Sequence, residues 1–211
     1  MNNHKYCLTG GLLAGLILLT AGIPVSAGGE GASCVLQAYE LRMSGQADAA
    51  CAMLDEYVAE HPEDAAAWFE LSRARHHAGL SQPRQLMERL DALSEASHNA
   101  MELEPDNPVY AYYNAYTTMF CAYPSLMRDQ PDAGEKVQRA IEAYEAVLAI
   151  KPDCAPSLLT LTEIQAFMQP GKGGDRAKAE ACAARLERSV SQKSILRYNK
   201  SLRLRQNRPL P

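Results

Sequence analysis

Three stretches of this chain end in the same way, and that recurrence limits the fold more than any other feature. Ala140 to Pro156 reads A-I-E-A-Y-E-A-V-L-A-I-K-P-D-C-A-P. Ala140, Tyr144, Val147 and Leu148 fall on one face of a helix, which Pro152 closes because a proline steers the residue before it out of helical geometry. Ala50 to Ala65 (A-C-A-M-L-D-E-Y-V-A-E-H-P-E-D-A) and Leu93 to Pro108 (L-S-E-A-S-H-N-A-M-E-L-E-P-D-N-P) have the same form. In each, a new helix opens just after the closing proline. Three endings built alike predict a repeat of helix pairs.

Composition agrees with helices. Ala, Leu and Glu prevail over Val and Ile, and 47% hydrophobic content in 211 residues suffices for one sizeable core. Charged residues make up 22% and the formal charge is −4, so the chain has no global basic field of the kind nucleic-acid binders use.

The first residues read as a targeting segment. Met1 to Tyr6 carries one Lys and no acid, Cys7 to Ile23 is apolar, and Val25-Ser26-Ala27 supplies the small residues of a cleavage site. Residues 1–27 are therefore expected to be a signal peptide, and the protein to be exported, periplasmic or secreted. The competing expectation is an uncleaved anchor, since Cys7 to Val25 is nearly long enough to span a bilayer. Cleavage would remove Cys7 and leave Cys34, Cys51, Cys121, Cys154 and Cys182. An odd number leaves at least one thiol free or paired between chains. Cys34 and Cys51 fall on facing helices and form one candidate pair; the other reading makes all five small buried residues in helix contacts.

Along the mature chain, helices are expected at Ala32–Met43, Ala47–Glu60 and Ala65–His77, the last ended by Gly79. A long helix follows from the Ser81 and Pro83 region to Glu104, then Val109–Phe120. Tyr123 to Gly134, with two prolines and little periodicity, reads as the longest internal loop. Lys136–Ile150 and Pro156–Met168 come next. Gln169-Pro170-Gly171-Lys172-Gly173-Gly174 breaks the chain, and Asp175 caps a helix to about Arg188. Residues 189–211 form a basic tail with a short helix at Lys193–Arg205.

The pattern resembles the tetratricopeptide repeat, a helix-turn-helix unit of about 34 residues. Ala38, Ala50, Leu54 and Pro62 stand at the family's small, small, bulky and proline positions in the first unit. Trp68 and Leu71 stand at the opening bulky positions of the second, followed by Ala100 and Pro105, and the third has Ala115, Ala140, Tyr144, Val147 and Pro152. Leu158 and Leu161 open a fourth. The match covers 32–188, with enlarged second and third units: Pro62 to Pro105 is 43 residues and Pro105 to Pro152 is 47. The resemblance implies an all-α fold of antiparallel helix pairs, about 3.5–4 repeats, forming a short α-solenoid or a compact bundle. Gly173-Gly174-Asp175-Arg176-Ala177-Lys178-Ala179 also resembles the turn before the last helix pair in some exported bacterial repeat proteins, including the helical component associated with TRAP-type solute transporters.

In this family the first helices of the pairs line a surface that binds peptides or protein segments. Carried onto this chain, that surface comprises Tyr39, Arg42 and Met43, then Phe69, Arg73, His76 and His77, then Tyr112, Tyr113, Tyr116, Met119 and Phe120. The third helix carries a broader aromatic stripe than one buried face needs. The opposing reading makes these rings core, covered by the 123–134 loop or the long preceding helix. The tail cations Arg197, Lys200, Arg203 and Arg205 suggest either a capping helix or contact with an anionic surface such as lipid headgroups.

Nothing in the sequence marks an enzyme. There is no G-x-S-x-G elbow, and His76 and His77 are adjacent, so they diverge on a helix instead of chelating a metal as an i, i+4 pair would. Pro170 to Asp175 is Gly-rich before a helix but lacks G-x-x-x-x-G-K-[ST] and follows a helix, not a strand. The expectation is a non-catalytic scaffold or adaptor without cofactor or metal, binding a protein or peptide segment in the cell envelope. The alternative is a periplasmic carrier or transporter-associated component for an apolar small molecule.

Overall fold

A computed structural model describes residues 30–81 and 89–206 of the chain, with side chains over 31–80 and 89–191. The predicted signal peptide and the side chains of Arg197, Lys200, Arg203 and Arg205 lie outside the described residues. Among the described residues there are eight α-helices and no strand. They are α1 (Glu30–Met43), α2 (Ala47–Glu60), α3 (Ala65–Ser81), α4 (Leu90–Leu103), α5 (Pro108–Met127), α6 (Ala133–Ile150), α7 (Ala155–Phe167) and α8 (Arg176–Gln206). Each packs on the next in the chain, and α1 also packs on α3. None of the described helices is long and apolar enough to cross a membrane.

The three proline endings are built alike. The residues before the prolines, His61, Glu104 and Lys151, cap their helices at φ −128, −132 and −132° and ψ 63, 73 and 87°. Each donates its N–H four residues back, to Tyr57, Ala100 and Val147 (2.9, 3.3 and 2.8 Å). Each then accepts from the residue three ahead, Asp64, Asn107 and Cys154 (3.2, 3.0 and 3.0 Å). That third residue starts the next helix. The Asp64 side chain accepts from Ala66 and Ala67 N–H, and the Asn107 side chain from Val109 N–H, satisfying donors that a helix start leaves open.

Short side chains let the paired helices cross closely. Ala38, Ala50, Ala100, Ala115 and Ala140 are all fully buried. The core is a series of clusters. Val35, Leu54, Val58 and Leu71 join α1, α2 and α3. Phe69, Tyr110, Tyr113 and Tyr116 join α3 to α5. Tyr112, Val137, Tyr144, Leu158, Leu161 and Ile164 join α5, α6 and α7.

Four boundaries differ from the sequence reading. Helix α3 runs through Gly79 to Ser81: Ala78 and Gly79 are buried, and packing outweighs glycine's low propensity of about 1 kcal/mol. Helix α5 runs through Pro124 to Met127, in place of the start of the expected long loop. Ala122, Ser125 and Leu126 are buried there, which holds the helix across the bond that Pro124 cannot donate. Helix α4 begins at Leu90; the earlier start expected near Ser81 and Pro83 falls largely on 82–88, outside the described residues. Finally, α8 is one helix of 31 residues with no break near Arg188.

The Gly173-Gly174 turn permits no side chain. A Cβ on Gly174 would lie 2.0 Å from the Met168 carbonyl oxygen, and one on Gly173 (φ +97°) would lie 2.9 Å from Val137 Cγ1 and Ile141 Cδ1. Gly45 also has positive φ (+84°) but faces open space. Gly45→Ala should therefore cost only the left-handed backbone penalty, about 1 kcal/mol. Gly174→Ala should lower the melting temperature more, although its φ is ordinary. Equal losses in thermal melts would show that the turn is not sterically closed.

Candidate functional site

The face of α3, with the faces of α1 and α5 that meet it, carries most of the residues singled out in the sequence. Arg42 on α1 reaches α3, where its Nε donates to Glu70 Oε1 at 2.5 Å and its Nη2 to Oε2 at 3.5 Å. Both side chains are 1% exposed. Arg73, one turn along α3 and half-buried, places Nη1 3.5 Å from Glu70 Oε2. Two guanidiniums thus share one carboxylate. Arg42 Nη1 also lies 3.5 Å from His77 Nε2.

Aromatic rings continue this cluster. Arg42 stands 5.2 Å from the centre of the half-buried Tyr39 ring, and Arg73 stands 5.3 Å from that of Phe69, distances at which a cation is drawn to a π face. Phe69 meets Tyr110 at 4.9 Å and Tyr113 edge-on at 5.3 Å. Tyr116 and Phe120 stack at 6.2 Å, and His76 sits edge-on to both. The Tyr116 hydroxyl lies 3.5 Å from His76 Nε2. Tyr39, Arg42, Phe69, Arg73, His76, Tyr113, Tyr116 and Phe120 are therefore one contiguous cluster.

Tyr112 and Met119 lie elsewhere. They belong to the apolar core shared with α6 and α7, where Tyr112 packs 6.0 Å from Tyr144. The helical period sets Tyr112 about 100° from Tyr113, and Tyr116, one turn on from Tyr112, lies between the two faces. Met43 is exposed. Most of the rings in the cluster are themselves buried, Tyr113 at 3% and Tyr116 at 6% exposure, so half-buried Tyr39, Arg73 and Phe120 supply its accessible edge.

Burial sets the charge of the site. It pushes His76 down to about 4, with His77 adding a little, and lowers His77, helped by Arg42 and Arg73. Both rings are neutral at pH 7. Burial raises the Tyr113 hydroxyl and pushes Tyr116 up to about 12, so neither supplies an anion. Among the described residues the cluster then holds two cations and one anion. Glu70 is the residue the sequence reading missed. Its signal was a lone acid in the otherwise apolar opening of α3, A-A-A-W-F-E-L, three residues before Arg73.

All five described cysteines are free, Cys34 and Cys51 included, although both pack on the same α1–α3 core. Burial pushes the Cys51 and Cys121 thiols up to about 11, which disfavours the nucleophilic thiolate. No three His, Cys, Asp or Glu side chains are grouped to hold a metal among the described residues.

Removing one partner of a buried ion pair strands the other. Glu70→Gln should destabilise the fold by about 3–5 kcal/mol in denaturant unfolding. Asp55→Asn, which breaks the exposed pair with Arg75, should cost under about 1 kcal/mol. Similar losses would place the Arg42–Glu70 pair in effective contact with water. The depressed His76 gives a pH dependence. The unfolded chain takes up a proton near 6.5 and the folded chain only near 4, so stability present above 6.5 falls as pH drops towards 4. The slope should approach about 1.4 kcal/mol per pH unit, and His76→Gln should reduce it by one proton's worth.

Neither a scan against protein-family models nor a search of curated proteins returns a match for this chain.

Proposed function

We propose that the chain is a tetratricopeptide-like, non-catalytic binding module that holds a peptide or protein segment through the α1–α3–α5 cluster. The observation that carries this reading is the excess positive charge of that cluster, two guanidiniums against one carboxylate among neutral rings. A surplus buried cation is costly unless an anion approaches it. Arg73 is the accessible member, and its planar fork suits a carboxylate. The partner segment then carries an acidic side chain or a free C-terminal carboxylate, set against Arg73 and flanked by Tyr39 and Phe120. Helix pairs that each contact their neighbours, with similar proline-ended turns, support the family reading. The signal-like residues 1–27 support export, with the cell envelope as the place of action.

The second reading, a carrier for a small molecule, is favoured by the burial of Tyr113 and Tyr116, which leaves a small mouth in place of an open aromatic groove.

Panning a peptide-display library on the purified chain tests the first reading. Selected peptides should be acidic, bind less tightly as salt rises, and lose about tenfold or more in affinity to Arg73→Ala, with the variant's fold checked by circular dichroism. Peptides that bind Arg73→Ala equally well would reject the site. A small molecule released from natively purified protein and absent from Arg73→Ala would replace the adaptor with the carrier.

A further inference from the structure

A second polar site lies at the other end of the molecule, where α6, α7 and α8 meet around the glycine turn. A cavity of about 410 Å³ is lined there by Gly134, Glu135, Gln165, Gly174, Asp175 and Lys178, among others. That is within the usual range for small-molecule sites.

Three observations give it a chemistry. The first is Gln165 on α7, which is 2% exposed and lines the cavity while its Oε1 has no hydrogen-bond partner. A buried amide oxygen left unpaired is costly, so it calls for a donor. The second is the start of α6. Its N-cap, Asp132, is turned to Lys136 (Oδ2 to Nζ 2.9 Å) and makes no cap bond. Gly134 and Glu135, in the first turn of α6, line the cavity, and this helix start, with its positive end, has no side-chain cap. By contrast, α8 is capped by its own Asp175, which accepts from Lys178 N–H at 3.1 Å. The third is the balance of side-chain charge: the Lys178 ammonium against the Asp175 carboxylate and the Glu135 carboxylate, the latter already paired with Arg139.

A purely anionic ligand would meet the Asp175 carboxylate beside the Glu135–Arg139 pair, and a purely cationic one an ammonium and a helix start. A ligand carrying both charges meets neither problem. We propose that this cavity binds a small zwitterion of the α-amino-acid type. Its ammonium donates to Gln165 Oε1 and lies near the carboxylates, and its carboxylate lies against the α6 start and Lys178. The glycines at the turn bring backbone to the wall where a side chain would close it: a Cβ on Gly174 has no room, and one on Gly134 would approach the Gly171 carbonyl oxygen at 3.3 Å. The site is separate from the α1–α3–α5 cluster and does not depend on the function proposed for it.

Isothermal titration calorimetry on the purified full chain tests this, with glycine, L-alanine, L-serine and L-glutamate as probes. Lactate lacks the ammonium, alaninamide lacks the carboxylate, and glucose is a neutral polyol. At least one amino acid should bind, and the three control probes should not. Gln165→Met should weaken binding about tenfold or more, and the exposed Lys178→Ala in the same direction. Arg73→Ala should leave it unchanged. If Gln165→Met does not fold, Lys178→Ala and the exposed Glu135→Gln carry the test. The proposal is overturned if no amino acid binds, which would make the cavity a water site only, or if lactate, alaninamide or glucose binds as well. It is equally overturned if the folded Gln165, Lys178 and Glu135 variants bind normally, or if Arg73→Ala abolishes binding.

Discussion

The steric clash between a proline ring and the residue before it governs the way this chain reverses direction. At His61, Glu104 and Lys151 that clash drives the backbone out of helical geometry at the end of a helix. One hydrogen bond back and one hydrogen bond forward then fix the bend. Because the three bends are nearly superimposable in angle and bonding, the helices they join enter and leave in similar ways. The alanines at the crossings convert that similarity into close packing: with no side chain beyond Cβ, Ala50, Ala100 and Ala140 let neighbouring backbones approach. Turn and crossing depend on each other, since a correct bend between bulky faces would hold its helices apart.

What was legible in the sequence was the part determined locally. Proline endings, Asp64 and Asn107 caps and buried alanines are read from residue type and spacing, and the helices follow them. The misses are places where distant packing overrules local preference. Pro124 and Gly79 both look like stops, yet each lies in a helix whose neighbouring side chains are buried. Of the twelve residues predicted to line a groove, nine converge, His77 among them, because they lie on α3 or on the sides of α1 and α5 that meet it, and Met43 is exposed. Tyr112 and Met119 depart because they sit on the side of α5 that meets α6. Glu70 was invisible as a partner of Arg42 because no local rule links residues 28 positions apart.

The two polar sites differ in their source of charge. At the α1–α3–α5 cluster it comes from side chains taken out of water, where desolvation is expensive and a third ionic group leaves the sum uneven. At the glycine turn it comes from a helix start left uncapped and from exposed side chains, beside a side-chain amide left unpaired. The first site is held in place by rings on three helices, the second by a turn in which Gly174 lies against its own chain.

Helix packing here joins elements that are adjacent, or next but one, along the chain. Loop closure therefore spans short stretches of sequence, and little chain entropy is lost before contacts begin to compensate. Each helix also meets its partner among those already made. A chain of this kind can fold progressively from its first helices onward, without waiting for its last residues to arrive. The α1–α3 core and its ionic pair can form early in that sequence, and the glycine turn closes only when α8 follows.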